Sequence, residues 1–225
     1  MYLSQMILNP CSVQVRRELA RPYEMHRTLA RAFPQETYHK ERDADDAAGV
    51  LFRAEQDARS NQIRVLVQAT VEPNWTFLQD IRDARGQPYL VRAAETKMFE
   101  LNLTVGQALA FRLRANPTKR SGKHARDENG KRVGIYDEQE QLQWLQRKAE
   151  AGGFDVVRAE ISRDGKIENT EAIVRANMKH DLKLLAVQFD GVLRVMDAAR
   201  IVETVTRGIG SGKAFGFGLL SLARA

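Results

Sequence analysis

Tyr23 and His26 are, by type and spacing, a candidate pair for proton transfer. They lie three residues apart in a stretch with helical spacing, so a helix would place both on one face. A histidine exchanges protons near neutral pH, and a tyrosine hydroxyl can hydrogen-bond a nucleophile or a leaving oxygen. Residue types alone favour the plainer interpretation, in which the pair only packs on an amphipathic helix.

A glycine-rich segment at 208–218 is a candidate phosphate site. It contains five glycines and one lysine, and glycines let the backbone approach a ligand closely. The segment is not a Walker loop, because Ala214 follows the lysine where serine or threonine is required. It is not a dinucleotide fingerprint, since it follows a predicted helix and precedes a predicted strand. We predict that Gly210, Gly212 and Lys213 bind phosphate; the alternative is a purely structural turn.

Basic residues are concentrated between positions 112 and 132. This stretch carries eight lysines and arginines against two acidic residues, so its net charge of +6 equals that of the whole chain. The Asn116-Pro117 pair predicts a loop over 116–132. A basic loop that follows a strand is suited to contact phosphates, and Lys119 and Arg120 are the candidates. The alternative is a loop that is only solvated.

Composition limits the class of protein. The 225 residues are 43% apolar and 28% charged, which excludes disorder for most of the chain. A pI near 9.6 suits a polyanionic partner such as nucleic acid. The single cysteine excludes an internal disulfide, and four scattered histidines cannot complete a cysteine-rich zinc site, so we expect neither metal nor cofactor. No apolar run approaches the ~20 residues that span a bilayer, so we expect a cytoplasmic protein without membrane contact.

The helices and strands that must position these residues are predicted from the spacing of apolar residues and from the prolines and glycines that interrupt regular structure. In the first half, alternation predicts strands and Pro22 divides a helical stretch, because proline fits a first helical turn and not a helix interior. The predicted elements are a strand at 2–8, a main helix at 22–33, strands at 50–52 and 63–71, a short helix at 75–81 and a strand at 96–103. This order is that of a ferredoxin-like or RNA-recognition-motif domain.

The same order repeats in the second half. The predicted elements are a strand around 109–113, a helix capped by Asp137 and ended by Gly152-Gly153, strands at 154–162 and 183–196, a helix from Asp197 to Gly208 and a strand at 218–222. Asp190-Gly191 is either a hairpin turn or a bulge within one strand. We therefore predict an α+β protein of two tandem ferredoxin-like domains, at 1–105 and 106–225.

The candidate segments together resemble one family, the CRISPR precursor-RNA endoribonucleases of type I-E systems, called CasE. The resemblance covers nearly the whole chain, and the order and spacing of its parts are specific. These parts are MYLS at 1–4, YEMHRTL at 23–29, FRLRANPTK at 111–119, WLQRK at 144–148, the glycine-rich segment and GLLSL at 218–222.

The resemblance implies a metal-independent endoribonuclease that cleaves CRISPR repeat RNA, retains the mature guide and belongs to the Cascade complex. It makes Tyr23 and His26 catalytic. The RNA would supply its own 2′-hydroxyl nucleophile and leave a 2′,3′-cyclic phosphate and a 5′-hydroxyl. Arg27 and Arg31 would lie at the base of the repeat hairpin.

A basic hairpin at 154–166 is the remaining predicted RNA contact. Its candidates are Arg158, Arg163 and Lys166, which would enter the widened end of the stem. Two other functions stay open at this point. The chain could be a non-catalytic RNA-binding subunit of a CRISPR ribonucleoprotein, or a scaffold that binds RNA through charge alone.

Overall fold

Two four-stranded antiparallel sheets, one in each half of the chain, organise the structure. The computed structural model describes residues 1–34, 49–57, 60–120, 132–161, 171–174 and 182–225. The first half contains β1 (Tyr2–Leu8), α1 (Val13–Ala20), α2 (Pro22–Ala30), β2 (Leu51–Gln56), β3 (Ile63–Ala69), a 3₁₀ helix (Thr76–Gln79) and β4 (Glu95–Met98). The strands of this N-terminal sheet are ordered β2-β3-β1-β4.

The second half repeats this arrangement. It contains β5 (Ala108–Ala115), β6 (Thr118–Arg120), β7 (Arg132–Gly134), α3 (Glu138–Ala151), β8 (Phe154–Ile161), β9 (Glu171–Val174), β10 (Leu182–Leu185), β11 (Val187–Val195), α4 (Ala198–Arg207), a 3₁₀ helix (Lys213–Phe215) and β12 (Leu220–Arg224). The C-terminal sheet is ordered β12-β5-β11-β8, while β6 pairs with β7 and β9 with β10. In both sheets the first and third strands are central, as in ferredoxin-like domains, so the predicted fold class is confirmed.

Each sheet buries one face in its own hydrophobic core. In β5 the side chains alternate, with Leu109, Phe111 and Leu113 buried, as expected for a strand with one covered face. These side chains join a core with residues of α3, α4 and the neighbouring strands. A separate core lies between the N-terminal sheet and the α1–α2 pair and includes Met25 and Phe52.

Several predicted boundaries require correction. The main helix ends at Ala30 and not at residue 33, because residues 31–33 form tighter turns in which Ala32 N–H donates to the Leu29 carbonyl. The short helix predicted at 75–81 is the 3₁₀ helix Thr76–Gln79, and the strand predicted at 96–103 is Glu95–Met98.

The second half also departs from prediction in places. The predicted loop at 116–132 includes β6 and β7 at its ends, and the segment at 183–196 is two strands, β10 and β11, separated by Ala186. Asp190 and Gly191 are paired within β11, so they do not form a hairpin turn. The register with β8 shifts between Val192 and Leu193, just beyond them. None of the described helices has the length and apolar character needed to cross a membrane.

Candidate active site

The helix α2 carries both candidate catalytic side chains. Pro22 occupies its first turn, where the missing N–H costs nothing, and Arg21 separates α2 from α1. Met25 and Leu29 face the core, and His26 lies next to them on the helix, so its side chain is buried as well. Tyr23, one turn earlier, stays 38% exposed at the edge of the helix. The pair therefore has one buried and one solvent-facing member.

A buried carboxylate holds α2 against α1. Glu18 is 1% exposed, and its Oε1 accepts a hydrogen bond from the Thr28 hydroxyl at 2.7 Å. Its Oε2 accepts one from the Tyr89 hydroxyl at 2.6 Å, and Gln14 Nε2 donates to Oε1 at 2.9 Å. Because a buried carboxylate is tolerated only with such donors, this set fixes the position of the helix that carries His26.

The imidazole of His26 lies near two aromatic rings. Its centroid is 6.0 Å from that of Tyr23 and 6.2 Å from that of Phe52, with which it stacks. Burial lowers the pKa of His26 from its ordinary value of 6.5 to about 4, since the charged form loses solvation. At neutral pH the imidazole of the free protein is therefore neutral, which is the form that accepts a proton.

The glycine-rich segment of the C-terminal half lies directly against α2. Its 3₁₀ helix contacts both α2 and β2, and the ring of Phe215 lies 5.6 Å from the ring of Tyr23. Gly216 has φ +82°, and a Cβ there would lie 3.2 Å from the Phe52 ring. A larger residue would therefore be strained in backbone and would press on the ring that stacks on His26.

The residues predicted to bind phosphate in this segment are partly buried. A Cβ at Gly210 would lie 3.2 Å from the Trp144 ring, and one at Gly212 would lie 3.1 Å from the Phe217 ring. At both positions the close packing of an aromatic ring favours glycine, because a side chain would press on that ring. Lys213 opens the 3₁₀ helix and is half-buried. The binding of phosphate by Gly210, Gly212 and Lys213 stays a prediction.

The basic run at 112–132 begins within a strand. Arg112 lies in β5, where its Nε donates to Asp190 Oδ1 at 2.6 Å and its Nη1 lies 3.4 Å from Glu55 Oε1. Arg114, on the same strand, lies over the Phe217 ring. Both arginines precede the loop predicted at 116–132 and belong to the predicted strand, and the alternation of β5 places them on the same face of the sheet. Residues 121–131 lie outside the described residues.

The other predicted RNA-binding residues are spread over both halves. Lys119 and Arg120 are exposed in β6, and Lys119 pairs with Glu140 of α3. Arg27 is exposed on α2, and the Arg31 guanidinium lies 4.5 Å from the Phe77 ring centroid. Arg158 is exposed on β8, which is an edge strand of the C-terminal sheet. Residues 154–161 form β8, in agreement with the strand predicted at 154–162, and the rest of the predicted basic hairpin at 154–166 lies outside the described residues. Arg163 and Lys166 lie outside the described residues.

Sequence reasoning missed the residues that join the two halves. Arg53 of β2 is 2% exposed and donates through Nη1 to the carbonyl oxygens of Leu219 and Arg112. Its Nε donates to Glu55 at 2.7 Å. Burial lowers the pKa of Arg53, and the Glu55 carboxylate opposes that effect. The signal was an arginine at an inward position of an apolar strand, which is unusual without a partner.

A metal site is not found among the described residues: no group of three or more histidine, cysteine, aspartate or glutamate side chains there could hold an ion. The chemistry that the arrangement supports is proton transfer by Tyr23 and His26 at the surface where α2 meets the C-terminal 3₁₀ helix. The fold and this site define the class: the chain belongs to the CRISPR-associated protein family, whose model matches residues 1–224.

Relatives within this family are similar over nearly their whole length. The chain is 37% identical over 229 residues to the CRISPR-associated endoribonuclease Cse3 of Thermus thermophilus, covering 99% of this chain and all of that protein. It is 31% identical over 212 residues to the CRISPR system Cascade subunit CasE of Escherichia coli, covering 89% of this chain and 91% of that one. The resemblance to the type I-E family is thereby confirmed.

Solved structures show the same fold. Thermus thermophilus Cse3 bound to an RNA that represents a pre-cleavage complex matches with a TM-score of 0.76 at 36% identity, over 99% of this chain and 98% of that one. Cas6e of Escherichia coli matches with a TM-score of 0.63 at 29% identity over the full length of both chains.

Proposed function

We propose that the protein is a metal-independent endoribonuclease that cleaves the repeat hairpins of CRISPR precursor RNA. A relative that matches over its full length is named a CRISPR-associated endoribonuclease, and Cse3 of Thermus thermophilus is solved with an RNA that represents a pre-cleavage complex. The observation that carries the proposal is the adjacency of Tyr23 and His26 on one face of α2, with ring centroids 6.0 Å apart. Together they offer a proton acceptor and a hydroxyl at one surface.

The reaction uses a nucleophile that the RNA contains. The 2′-oxygen attacks the adjacent phosphorus in line, the bond from phosphorus to the 5′-oxygen breaks, and a 2′,3′-cyclic phosphate and a 5′-hydroxyl remain. One proton leaves the 2′-hydroxyl and one reaches the 5′-oxygen. We assign the first transfer to His26, because burial keeps its imidazole neutral at pH 7. Tyr23 donates to the departing 5′-oxygen. General acid–base assistance of this kind is worth roughly 10²–10⁴-fold in rate.

RNA binding would use the exposed basic side chains near the pair and on the C-terminal half. Arg27 and Arg31 belong to or follow α2, so they suit the phosphates nearest the cut. Lys119, Arg120 and Arg158 would contact phosphates farther along the hairpin, and the same role is proposed for Arg163, Lys166 and Lys213. After cleavage the protein stays on the guide RNA as a subunit of Cascade, as the name of its Escherichia coli relative suggests.

We propose a division of the chain into two domains, and the positions of the two sheets support it. Every described strand of the N-terminal sheet ends by residue 98, and the C-terminal sheet begins at residue 108. This supports domains at 1–105 and 106–225, with the catalytic helix in the first and the glycine-rich segment in the second.

A non-catalytic RNA-binding subunit is the second candidate function. The observation that favours it is the burial of His26, which is 9% exposed and stacked on Phe52, as a histidine used only for packing would be. The two functions differ in a single assay, because both predict hairpin binding and only one predicts cleavage.

The test is a denaturing gel of end-labelled repeat hairpin incubated with protein in EDTA. We expect a single cut that leaves a cyclic phosphate and a 5′-hydroxyl. An RNA with 2′-deoxyribose immediately 5′ of the cut should bind and stay intact, because it lacks the nucleophile. Binding without cleavage of the all-ribose hairpin would establish the second function, and a strict requirement for magnesium would overturn the metal-independent mechanism.

A further inference from the structure

Phe215 belongs to the C-terminal half and contacts residues of both halves of the chain. It ends the 3₁₀ helix that lies between Gly212 and Gly216, both in the left-handed region. Its side chain packs against a small core formed by Leu184, Ala186 and Phe217. The turn is closed by hydrogen bonds from Phe215 N–H to the Gly212 carbonyl at 2.9 Å and from Gly216 N–H to the Lys213 carbonyl at 3.1 Å. Phe215 is thus held by its own half of the chain.

The Phe215 ring also meets the ring of Tyr23 in the N-terminal half. The centroids are 5.6 Å apart and the rings are tilted by 35°, within the range that aromatic pairs prefer. The Tyr23 ring is in turn 6.0 Å from that of His26, and the His26 ring is 6.2 Å from that of Phe52, so four rings from two halves of the chain form one cluster. The missing Cβ of Gly216 lets the turn lie against Phe52 as well.

The tyrosine needs such a neighbour to have a defined position. Tyr23 is the second residue of α2 and is 38% exposed, so helix packing leaves much of its side chain without contacts. Its χ1 rotamer decides where the hydroxyl lies relative to the imidazole. Contact with a fixed ring restricts that choice before RNA binds. A displacement of about 1 Å in a reacting group can lower a rate ~10²-fold.

We propose that Phe215 is a positioning residue for RNA cleavage, and that it acts by holding the ring of Tyr23 beside His26. This role rests on the proposed endoribonuclease function. It makes the active site dependent on both halves of the chain, since the proton-transfer pair lies on α2 and its support comes from the C-terminal turn.

The experiment is a double-mutant cycle on single-turnover cleavage at saturating hairpin. We expect Phe215→Ala to slow the chemical step about 10- to 100-fold, with the dissociation constant of the hairpin within about threefold of wild type. Phe215→Tyr, which keeps the ring, should cleave at nearly the wild-type rate. In a Tyr23→Ala background, Phe215→Ala should slow cleavage less than about twofold further, because its target is already gone.

Phe99→Ala is the matched control, since Phe99 is also half-buried but follows β4 in the N-terminal sheet. Equal effects of Phe215→Ala with and without Tyr23 would overturn the proposal, as would a loss confined to hairpin affinity. A wild-type protein that leaves the hairpin intact would overturn the proposed function instead.

An NMR spectrum of protein with ¹³C-labelled tyrosine rings tests the contact without any cleavage. The Tyr23 ring signals, assigned with Tyr23→Phe, should move toward unfolded values in Phe215→Ala and stay in place in Phe99→Ala. Unmoved signals in Phe215→Ala would show that Tyr23 does not depend on this ring, which would also overturn the proposal.

Discussion

Arg53 donates a hydrogen bond from Nη1 to the carbonyl oxygen of Leu219 at 3.3 Å, from the second strand of one sheet to the residue that precedes the last strand of the other. The same nitrogen reaches the Arg112 carbonyl, and Gln68 of β3 donates to the Val205 carbonyl at 2.7 Å. These bonds end at backbone oxygens, so they fix the position of the C-terminal backbone relative to the N-terminal sheet. The candidate active site lies beside this junction, since His26 stacks on Phe52, the residue that precedes Arg53.

Loss of Arg53 should destabilise the whole molecule. Arg53→Met keeps most of the volume but leaves the Leu219 carbonyl without its donor, and each unsatisfied buried group costs ~1–3 kcal/mol. We expect the free energy of unfolding to fall by about 2–4 kcal/mol in urea denaturation. Arg64→Met, an exposed arginine on β3, is the control and should change it by less than ~0.5 kcal/mol. Equal stability of the two variants would contradict the structural role of Arg53.

The Glu18 cluster should be required for the placement of α2. Glu18→Gln removes one of the two acceptor oxygens used by Thr28 and Tyr89, so we expect a loss of roughly 1–3 kcal/mol in unfolding free energy. Tyr89→Phe should cost about 1 kcal/mol, since it leaves one oxygen of Glu18 without a donor. Under conditions in which both variants are folded, single-turnover cleavage should be slower in Glu18→Gln. An unchanged melting temperature in both variants would exclude the anchoring role.

The burial of His26 predicts a dependence of stability on pH. Its pKa is about 4 in the folded protein against 6.5 ordinarily, so the unfolded chain binds a proton at a higher pH than the folded one. This contribution is complete above pH 6.5 and is lost as the pH falls toward 4. It amounts to about 3 kcal/mol. Urea denaturation of wild type and His26→Gln at several pH values checks it: the variant should lose less stability between about pH 7 and 4.5. Parallel curves would show that His26 does not have a lowered pKa.

The pH dependence of cleavage distinguishes the two roles of His26. As a base it must be neutral, so the single-turnover rate should fall as the pH drops below its apparent pKa and be level up to about pH 8. Binding of a scissile phosphate raises that apparent pKa above the value in the free protein. His26→Ala should lower the rate at least ~10²-fold and leave hairpin affinity nearly unchanged. A rate that declines as the pH rises from about 6 to 8 would assign His26 as the acid.

The basic strand β6 should contribute to affinity through charge. Lys119→Ala with Arg120→Ala should weaken hairpin binding and reduce the slope of log affinity against log salt by about 0.7–0.9 for each lost phosphate contact. Lys97→Ala, on the exposed edge strand β4 of the other sheet, is the control and should leave both quantities unchanged. Unchanged affinity and slope in the double variant would show that Lys119 serves only its ion pair with Glu140.

Local sequence determined most of the helices and strands and the spacing of the candidate catalytic pair, because their causes lie within a few residues. Asp137 and Asp197 begin helices as predicted, with side chains that accept from Glu140 N–H and Arg200 N–H. The three-residue spacing of Tyr23 and His26 places them on one face of α2 wherever that helix lies.

Only the tertiary structure decided which residues surround that pair and which partners the charged side chains have. Arg112 appeared in the sequence as part of a basic run, but strand pairing brings Asp190 beside it. Phe215 carries no local signal, and the position of Arg53 among apolar residues of β2 does not reveal its partner, since Tyr23 and Leu219 lie far away in the chain. Residues so far apart in the sequence come into contact only when the two halves of the chain pack together. The pattern of apolar residues within either half does not predict such a contact.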